Sequence, residues 1–491
     1  MSNVSGTIKS IQDIMRKDVG VDGDAQRISQ LVWMFFLKIF DDREAELELL
    51  EDDYTSPLPE KFRWSSWATD SEGMTGEELA EFIDDLFDFL KNKLNLKGEN
   101  GARALVIHNV FEDAYNYMKS GTLMRQVINK ICEINFNNSS DRHTFGTIYE
   151  QILKDLQSAG NAGEFYTPRA ITRFIVDRVD PKLKDIVLDP ACGTGGFLSC
   201  TIDHKRENYI NSPEDEKILQ ESIHGVEKKA MPHMLCITNM ILHGIDTPTN
   251  IKHDNTLARP YKDYTSKDRV DVIIANPPFG GTEEDGIENN FPANLRTRET
   301  ADLFMALIVK RLKVDGRAAV VLPDGFLFGE GMKTRLKELL TTECNLHTIV
   351  RLPNGVFNPY TGIKTNILFF TKGKPTEHVW YYEHPYPDGV KNYNKTKPMS
   401  FEEFKTEQEW WGDESDDFSS RKETEQAWKV SIEDIKKSNY NLDIKNPHVG
   451  EQVSHDPEEL LEDYNKQQEG IQGLRDQLKN ILSEALSGGQ A

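Results

Sequence analysis

The sequence predicts an α/β chain: a mostly parallel sheet covered on both faces, preceded by an all-helical region and followed by a helical tail. Three observations predict it. Short apolar runs alternate with helical patterns between about Gly163 and Lys372; apolar residues fall at helical spacing before that stretch; and a charged, heptad-like stripe closes the chain.

In the first region Ile28, Leu31, Val32, Phe35, Phe36, Ile39 and Phe40 recur at intervals of three and four and lead into the charged segment DDREAELE. Further helical patterns are GEELAEFIDDLFDFLKNKL, ARALVIHNVFEDAYNYM and TFGTIYEQILKDL, which bound a helical N-terminal domain at residues 1–156. The second region, residues 157–373, holds strands at Ile186–Asp189, Ser222–Glu227, Val270–Asn276, Arg317–Pro323, Leu346–Pro353 and Thr365–Lys372. In such sheets ligands bind beyond the carboxyl ends of the strands, so the chemistry belongs just after these runs. The third region, 374–491, is polar and acidic, with EQEWWGDES and DESDD expected as loop or flexible surface. It ends on Ile471, Leu474, Leu478, Ile481 and Ala485, spaced by three and four as on one side of a helix.

Whole-chain properties limit the function. A length of 491 residues calls for two or three domains. A net charge of −23 argues against a protein that grips nucleic acid over its whole surface, because phosphate contacts need clustered Lys and Arg. Any action on DNA then calls for a basic partner. The five cysteines show no metal-ligand spacing and read as reduced thiols of a cytoplasmic protein. The N-terminus lacks a signal pattern, and no apolar run approaches the roughly 20 residues of a membrane span.

The run IVLDPACGTGGF places Asp189 at a strand end, then Gly193, Thr194, Gly195 and Gly196 before an apolar helix. Glycines let the backbone turn sharply and approach a ligand, and the helix start offers free N–H groups to an anion. Nucleotide and dinucleotide sites use the same physics, and so does a tight structural turn. Context narrows the choice. Glu227 ends the next strand, where an acid can accept both hydroxyls of a ribose; Asp254, with Asn255 beside it, follows the third and can accept from an adenine amino group. Upstream, Thr167 precedes Pro168 at a helix start, a setting for the carboxylate of an amino-acid moiety.

After VDVIIA come Asn276, Pro277, Pro278 and Phe279. Two prolines end the ladder and fix an extended turn on which the Asn276 side chain and the Pro277 carbonyl can converge on one planar amino group. Holding both N–H bonds frees a conjugated lone pair for in-line attack on a sulfonium methyl, with Phe279 stacked on a base drawn out of the duplex. This chemistry calls for no metal. The plain alternative is a rigid turn with a packed phenylalanine.

The combination of GEFYTPR, DPACGTGGF and NPPF resembles the adenine-specific amino-methyltransferases of DNA, and more narrowly the modification subunit of type I restriction-modification systems. LVWMFFLKIFDDRE, from Leu31 to Glu44, resembles that family's N-terminal domain. The resemblance implies a Rossmann-like domain dependent on S-adenosylmethionine, which Glu164, Phe165, Tyr166, Thr167, Pro168 and Arg169, Thr194 to Gly196, and Glu227 contact. Asp254 would meet the cofactor's adenine, and Asn276 to Phe279 would hold the target adenine for methylation at N6. It also implies a complex in which a specificity subunit reads the DNA, two modification subunits flank it and a restriction subunit can join. Three rivals are a stand-alone DNA methyltransferase, which would carry its own recognition domain; an amino-methyltransferase of protein glutamine or RNA; and a scaffold without catalysis, against which the intact Asn276, Phe279 and glycine turn argue.

Overall fold

The computed structural model describes residues 4–134, 167–358, 361–394 and 397–448, together with 468, 471–472, 474–475 and 477–479. The chain divides into two compact units, Met1–Ile444 and Lys445–Ala491.

The first unit opens with helices α1 (Val4–Met15), α2 (Asp24–Leu50), α3 (Trp64–Trp67), α4 (Gly76–Asn92), α5 (Gly101–Phe111) and α6 (Gly121–Cys132). In α4 the residues Leu79, Ile83, Leu86, Phe87 and Leu90 are buried, one apolar face of a 3.6-residue repeat. The middle of α2 has no polar face: Leu31 to Leu37 are all buried, so this helix runs through the centre of its layer. The helical pattern expected through Met118 stops at Phe111. The reason is that the Gln30 side chain accepts from the Tyr117 N–H at 2.8 Å and Asp18 accepts from the Lys119 and Ser120 N–H groups, so these amides serve tertiary bonds instead of a helix. The expected helix TFGTIYEQILKDL lies outside the described residues.

The remaining elements form one nine-stranded sheet in the order β3-β2-β1-β4-β5-β7-β6-β8-β9. Its strands are β1 (Val187–Asp189), β2 (Ile223–Glu227), β3 (Ile251–His253), β4 (Val270–Ala275), β5 (Leu312–Pro323), β6 (Cys344–Arg351), β7 (Thr365–Lys372), β8 (His378–Glu383) and β9 (Ala427–Ser431). Strands β1 to β5 pair in parallel, and β7 runs antiparallel between β5 and β6. The switch of direction between β1 and β4, with β2 and β3 built outward on the other side, opens a crevice at the carboxyl edge.

Helices α7 (Arg169–Val179), α8 (Gly196–Tyr209), α9 (Pro213–Ser222), α10 (Ala230–Leu242), α11 (Thr300–Arg311), α12 (Asp324–Phe328) and α13 (Met332–Glu343) connect these strands. Past Gly373 the expected loop character gives way to strands β8 and β9, and the EQEWW stretch contributes a short helix, α14 (Lys405–Trp410), with Trp411 buried against Phe369. The run Val379 to Tyr382 is itself strand-favouring but is set among polar residues: β8 pairs edge to edge with β6 and β9, and its aromatic residues Trp380 to Tyr382 are buried by tertiary contact.

The helical layer joins the sheet through α2 and α10. Arg43 Nε donates to Asp246 Oδ1 at 2.8 Å, and Arg103 Nε donates to Glu44 Oε1 at 2.7 Å within the layer, with both side chains of the latter pair buried. One continuous apolar core runs from α1–α6 into α8 and α10. In the second unit the described residues near 471–479 are helical, and Ile471, Leu474 and Leu478 are exposed. Among the described residues no helix is long and apolar enough to cross a membrane, and no group of three His, Cys, Asp or Glu side chains is placed to hold a metal ion.

Candidate active site

At the carboxyl edge, where β1, β2 and β4 end, lies a cavity of about 450 Å³ lined among others by Thr167, Asp189, Gly193, Thr194, Gly196, Glu227, Asn276 and Pro278. Four segments singled out in the sequence meet there.

The glycine turn forms its floor. Cys192 N–H donates to the Val226 carbonyl at 3.0 Å, tying the turn to the end of β2. Gly193 has φ +52°, and its N–H donates to Glu227 Oε2 at 2.9 Å, while Glu227 Oε1 accepts from the Lys229 N–H at 2.8 Å. The Thr194 carbonyl accepts from Asn239 Nδ2 of α10 at 3.1 Å, so the turn is held from below as well. Gly195, at φ +82°, is the N-cap of α8. A Cβ at Gly195 would stand 2.8 Å from Cys236 Sγ, so close approach to α10, as well as the left-handed backbone, requires glycine there. At Gly193 and Gly196 a Cβ meets nothing closer than 3.9 Å, so the space they leave belongs to the cavity.

Asp189 is buried, with one hydrogen bond from the Ala191 N–H at 3.1 Å. Burial, aided by the nearby Glu227 carboxylate, pushes its acid up to about 8. At neutral pH it is mainly protonated, a state that an arriving cation would reverse.

Asn276 stands at the end of β4. Its Nδ2 donates to Thr167 Oγ1 at 2.9 Å, and its Oδ1 is buried with no hydrogen-bond partner among the described residues. A buried unpaired carbonyl costs about 1–3 kcal/mol, so the site holds an acceptor awaiting a donor. Thr167 precedes Pro168, the N-cap of α7, so the α7 start and the β4 end meet.

Other expected residues stand apart from the cavity lining. The Arg169 guanidinium donates to Ser199 Oγ at 2.9 Å and Asp203 Oδ2 at 3.0 Å on α8. Phe279 is buried, its ring edge toward Phe357 at 6.5 Å between centroids. Asp254 is exposed at the end of β3, where Oδ1 accepts from the Asn255 N–H at 2.7 Å. Glu164, Phe165 and Tyr166 lie outside the described residues.

Sequence reasoning missed the residues that close the rim. Glu283, just past the Asn276–Phe279 turn, lines the cavity with a carboxylate 10% exposed, paired with Lys228 at 3.2 Å. Its own signal was slight, one acid in the acidic run TEED.

Comparison with known proteins gives the geometry its context. The family model described as N-6 DNA Methylase matches residues 140–456, and that of the HsdM N-terminal domain matches residues 4–131. The chain is 66% identical to the type I restriction enzyme EcoEI methylase subunit of Escherichia coli, over 99% of each chain. Its fold is similar to the crystal structure of a type I restriction enzyme modification subunit from Vibrio vulnificus, with TM-score 0.82, 43% identity and coverage of 92% of this chain and 98% of that one. It is also similar, at TM-score 0.76 and 33% identity over 100% and 99% of the two chains, to a chain from a structure of complex assembly and conformational transition in the type I R-M system.

Proposed function

We propose, from the premise that this chain belongs to the N-6 DNA methylase family as a type I restriction-modification methylase subunit, that it moves a methyl group from S-adenosylmethionine to the N6 amino group of an adenine turned out of the DNA helix. The observation that carries this reading is the buried Oδ1 of Asn276, without a hydrogen-bond partner among the described residues, at the wall of a cavity of about 450 Å³.

The cavity's donor set fits the cofactor. The open faces of Gly193 and Gly196 leave room for its backbone approach, Asp189 answers a cationic group, and Glu227 has a carboxylate for ribose hydroxyls in exchange for its bonds to the Gly193 and Lys229 amides. The amino-acid end is assigned to Thr167 and Pro168 at the start of α7, with Glu164 to Tyr166 preceding them in the chain and Arg169 bracing that start against α8, and the adenine end to the segment after β3 that carries Asp254 and Asn255. When bound, S-adenosylmethionine supplies an electrophilic methyl group.

The chain's own residues prepare the nucleophile. Asn276 Oδ1 and the Pro277 carbonyl accept from the two N–H bonds of the target amino group and draw its lone pair out of conjugation with the ring. Pro277 and Pro278 keep the turn extended. Phe279 supports the base pocket through its contact with Phe357 and offers the flipped base an aromatic neighbour. Base reading falls to a specificity subunit, with a second copy of this chain and a restriction subunit in the same assembly.

Asn276→Ala tests the reading. Methyl transfer to DNA by the assembled enzyme is expected to fall by about 10²-fold or more, the scale for a group that acts mainly in the transition state, while affinity for S-adenosylhomocysteine stays near that of the parent. Undiminished transfer would refute the assignment.

A further inference from the structure

The cavity lining follows the strand order, Asn276 after β4, Asp189 after β1 and Glu227 after β2, with Asn255 after β3 standing next in that order beyond the lining. On the reading above, the reacting methyl belongs beside Asn276, which sends the nucleoside toward β2 and β3. Glu283 follows β4 in the chain, yet its carboxylate reaches to that far side. Oε2 accepts from Lys228 Nζ at 3.2 Å and Asn255 Nδ2 at 3.5 Å, and Oε1 accepts from Thr300 Oγ1 at 3.3 Å.

A carboxylate has about four lone-pair sites and no donor when ionised. Among the described residues three are used: both on Oε2 and one on Oε1. One site remains on Oε1 of a side chain held in place by donors from three different segments. Asp254, the acid expected from the sequence at this end, is exposed and stands outside the cavity lining, its Oδ1 accepting from the neighbouring Asn255 N–H.

We infer that Glu283 reads the adenine of the cofactor, its Oε1 accepting a hydrogen bond from the exocyclic amino group. This role rests on the cofactor assignment above and goes beyond it by naming the base-specificity residue. An acceptor-only group discriminates sharply. A purine with an amino group at position 6 gives it a donor, whereas hypoxanthine presents a carbonyl oxygen to a fixed negative charge and leaves that lone pair unpaired.

The experiment is calorimetric titration of the purified full-length chain with S-adenosylhomocysteine and with its deaminated counterpart, S-inosylhomocysteine. The parent is expected to favour the adenosyl form by about tenfold or more. In Glu283→Gln, whose amide can donate to a carbonyl at position 6, that ratio is expected to fall by about tenfold, through weaker adenosyl and stronger inosyl binding. Equal weakening of both ligands in Glu283→Gln would mean that Glu283 only holds its segment in place, and would overturn the inference. Equal binding of the two ligands by the parent overturns it without any variant. Collapse of the ratio in Asp254→Asn but not in Glu283→Gln would assign the base to Asp254. If the parent binds neither ligand, the cofactor assignment itself fails.

Discussion

Within the glycine turn, neighbouring residues carry different duties. Gly195 is confined by Cys236, so a side chain there disturbs α10 before it touches any ligand. Gly196 begins α8 with ordinary helical backbone and faces the cavity, so Gly196→Leu is expected to fold with a melting temperature close to the parent's and to lose most affinity for S-adenosylhomocysteine by filling its space. Loss of folding with retained affinity in the residual folded fraction would contradict this division. Asp189 adds a pH dependence whose sign is fixed. Its folded value of about 8 lies above the unfolded value near 3.8, so its contribution to stability is present below the unfolded value and is lost as pH rises through about 8. A cationic ligand prefers the ionised carboxylate, so affinity runs the other way and increases as pH rises through the same range. Binding at pH 7 should release a proton, measurable as a dependence of the calorimetric heat on buffer ionisation enthalpy, and Asp189→Asn should abolish that release.

Among the elements, α10 stands between the helical layer and the site. Its Asn239 holds the Thr194 carbonyl, its Cys236 packs under Gly195, and the loop after it carries Asp246, which receives Arg43 of α2. The Arg103–Glu44 pair within the layer is buried, and Tyr54 OH donates to the same carboxylate at 3.0 Å. Removing one partner leaves a buried charge without compensation, which costs about 3–5 kcal/mol. Arg103→Met is therefore expected to lower the unfolding free energy obtained from urea titration by about that amount, whereas Arg103→Met combined with Glu44→Leu should recover a large part of it. A single variant as stable as the parent would show that the pair contributes little to the layer.

At the scale of the whole molecule, a net charge of −23 opposes a polyanion, and phosphate contacts supply most non-specific affinity for DNA. The purified chain is expected to bind S-adenosylhomocysteine yet shift DNA in a gel weakly and without sequence preference. Addition of a specificity subunit should bring site-specific binding and methylation together. Leu474 and Leu478 are exposed in the second unit, as a stripe kept for a partner helix would be. Glu at both positions is expected to impair that association, read by co-purification, while leaving ligand affinity intact. Efficient methylation of a defined site by the isolated chain would defeat the assembly account.

The sequence by itself determined the elements whose signal is local. Continuous apolar runs such as Thr365–Lys372 mark a buried strand wherever it pairs, the glycines of 193–196 mark a turn, and Asn276 to Phe279 mark the end of β4. Tertiary structure decided what depends on partners distant in sequence. It ended the α5 pattern at Phe111 by giving later amides to Gln30 and Asp18, and it chose the strands that β8 and β9 pair with, which local sequence does not specify. It turned Arg169 toward α8 and brought Glu283 across the cavity to Lys228 and Asn255. A motif fixes which chemical groups are available; only the packing of segments distant in sequence fixes where their hydrogen bonds go, because those bonds are chosen by competition among all the donors and acceptors that folding brings within reach.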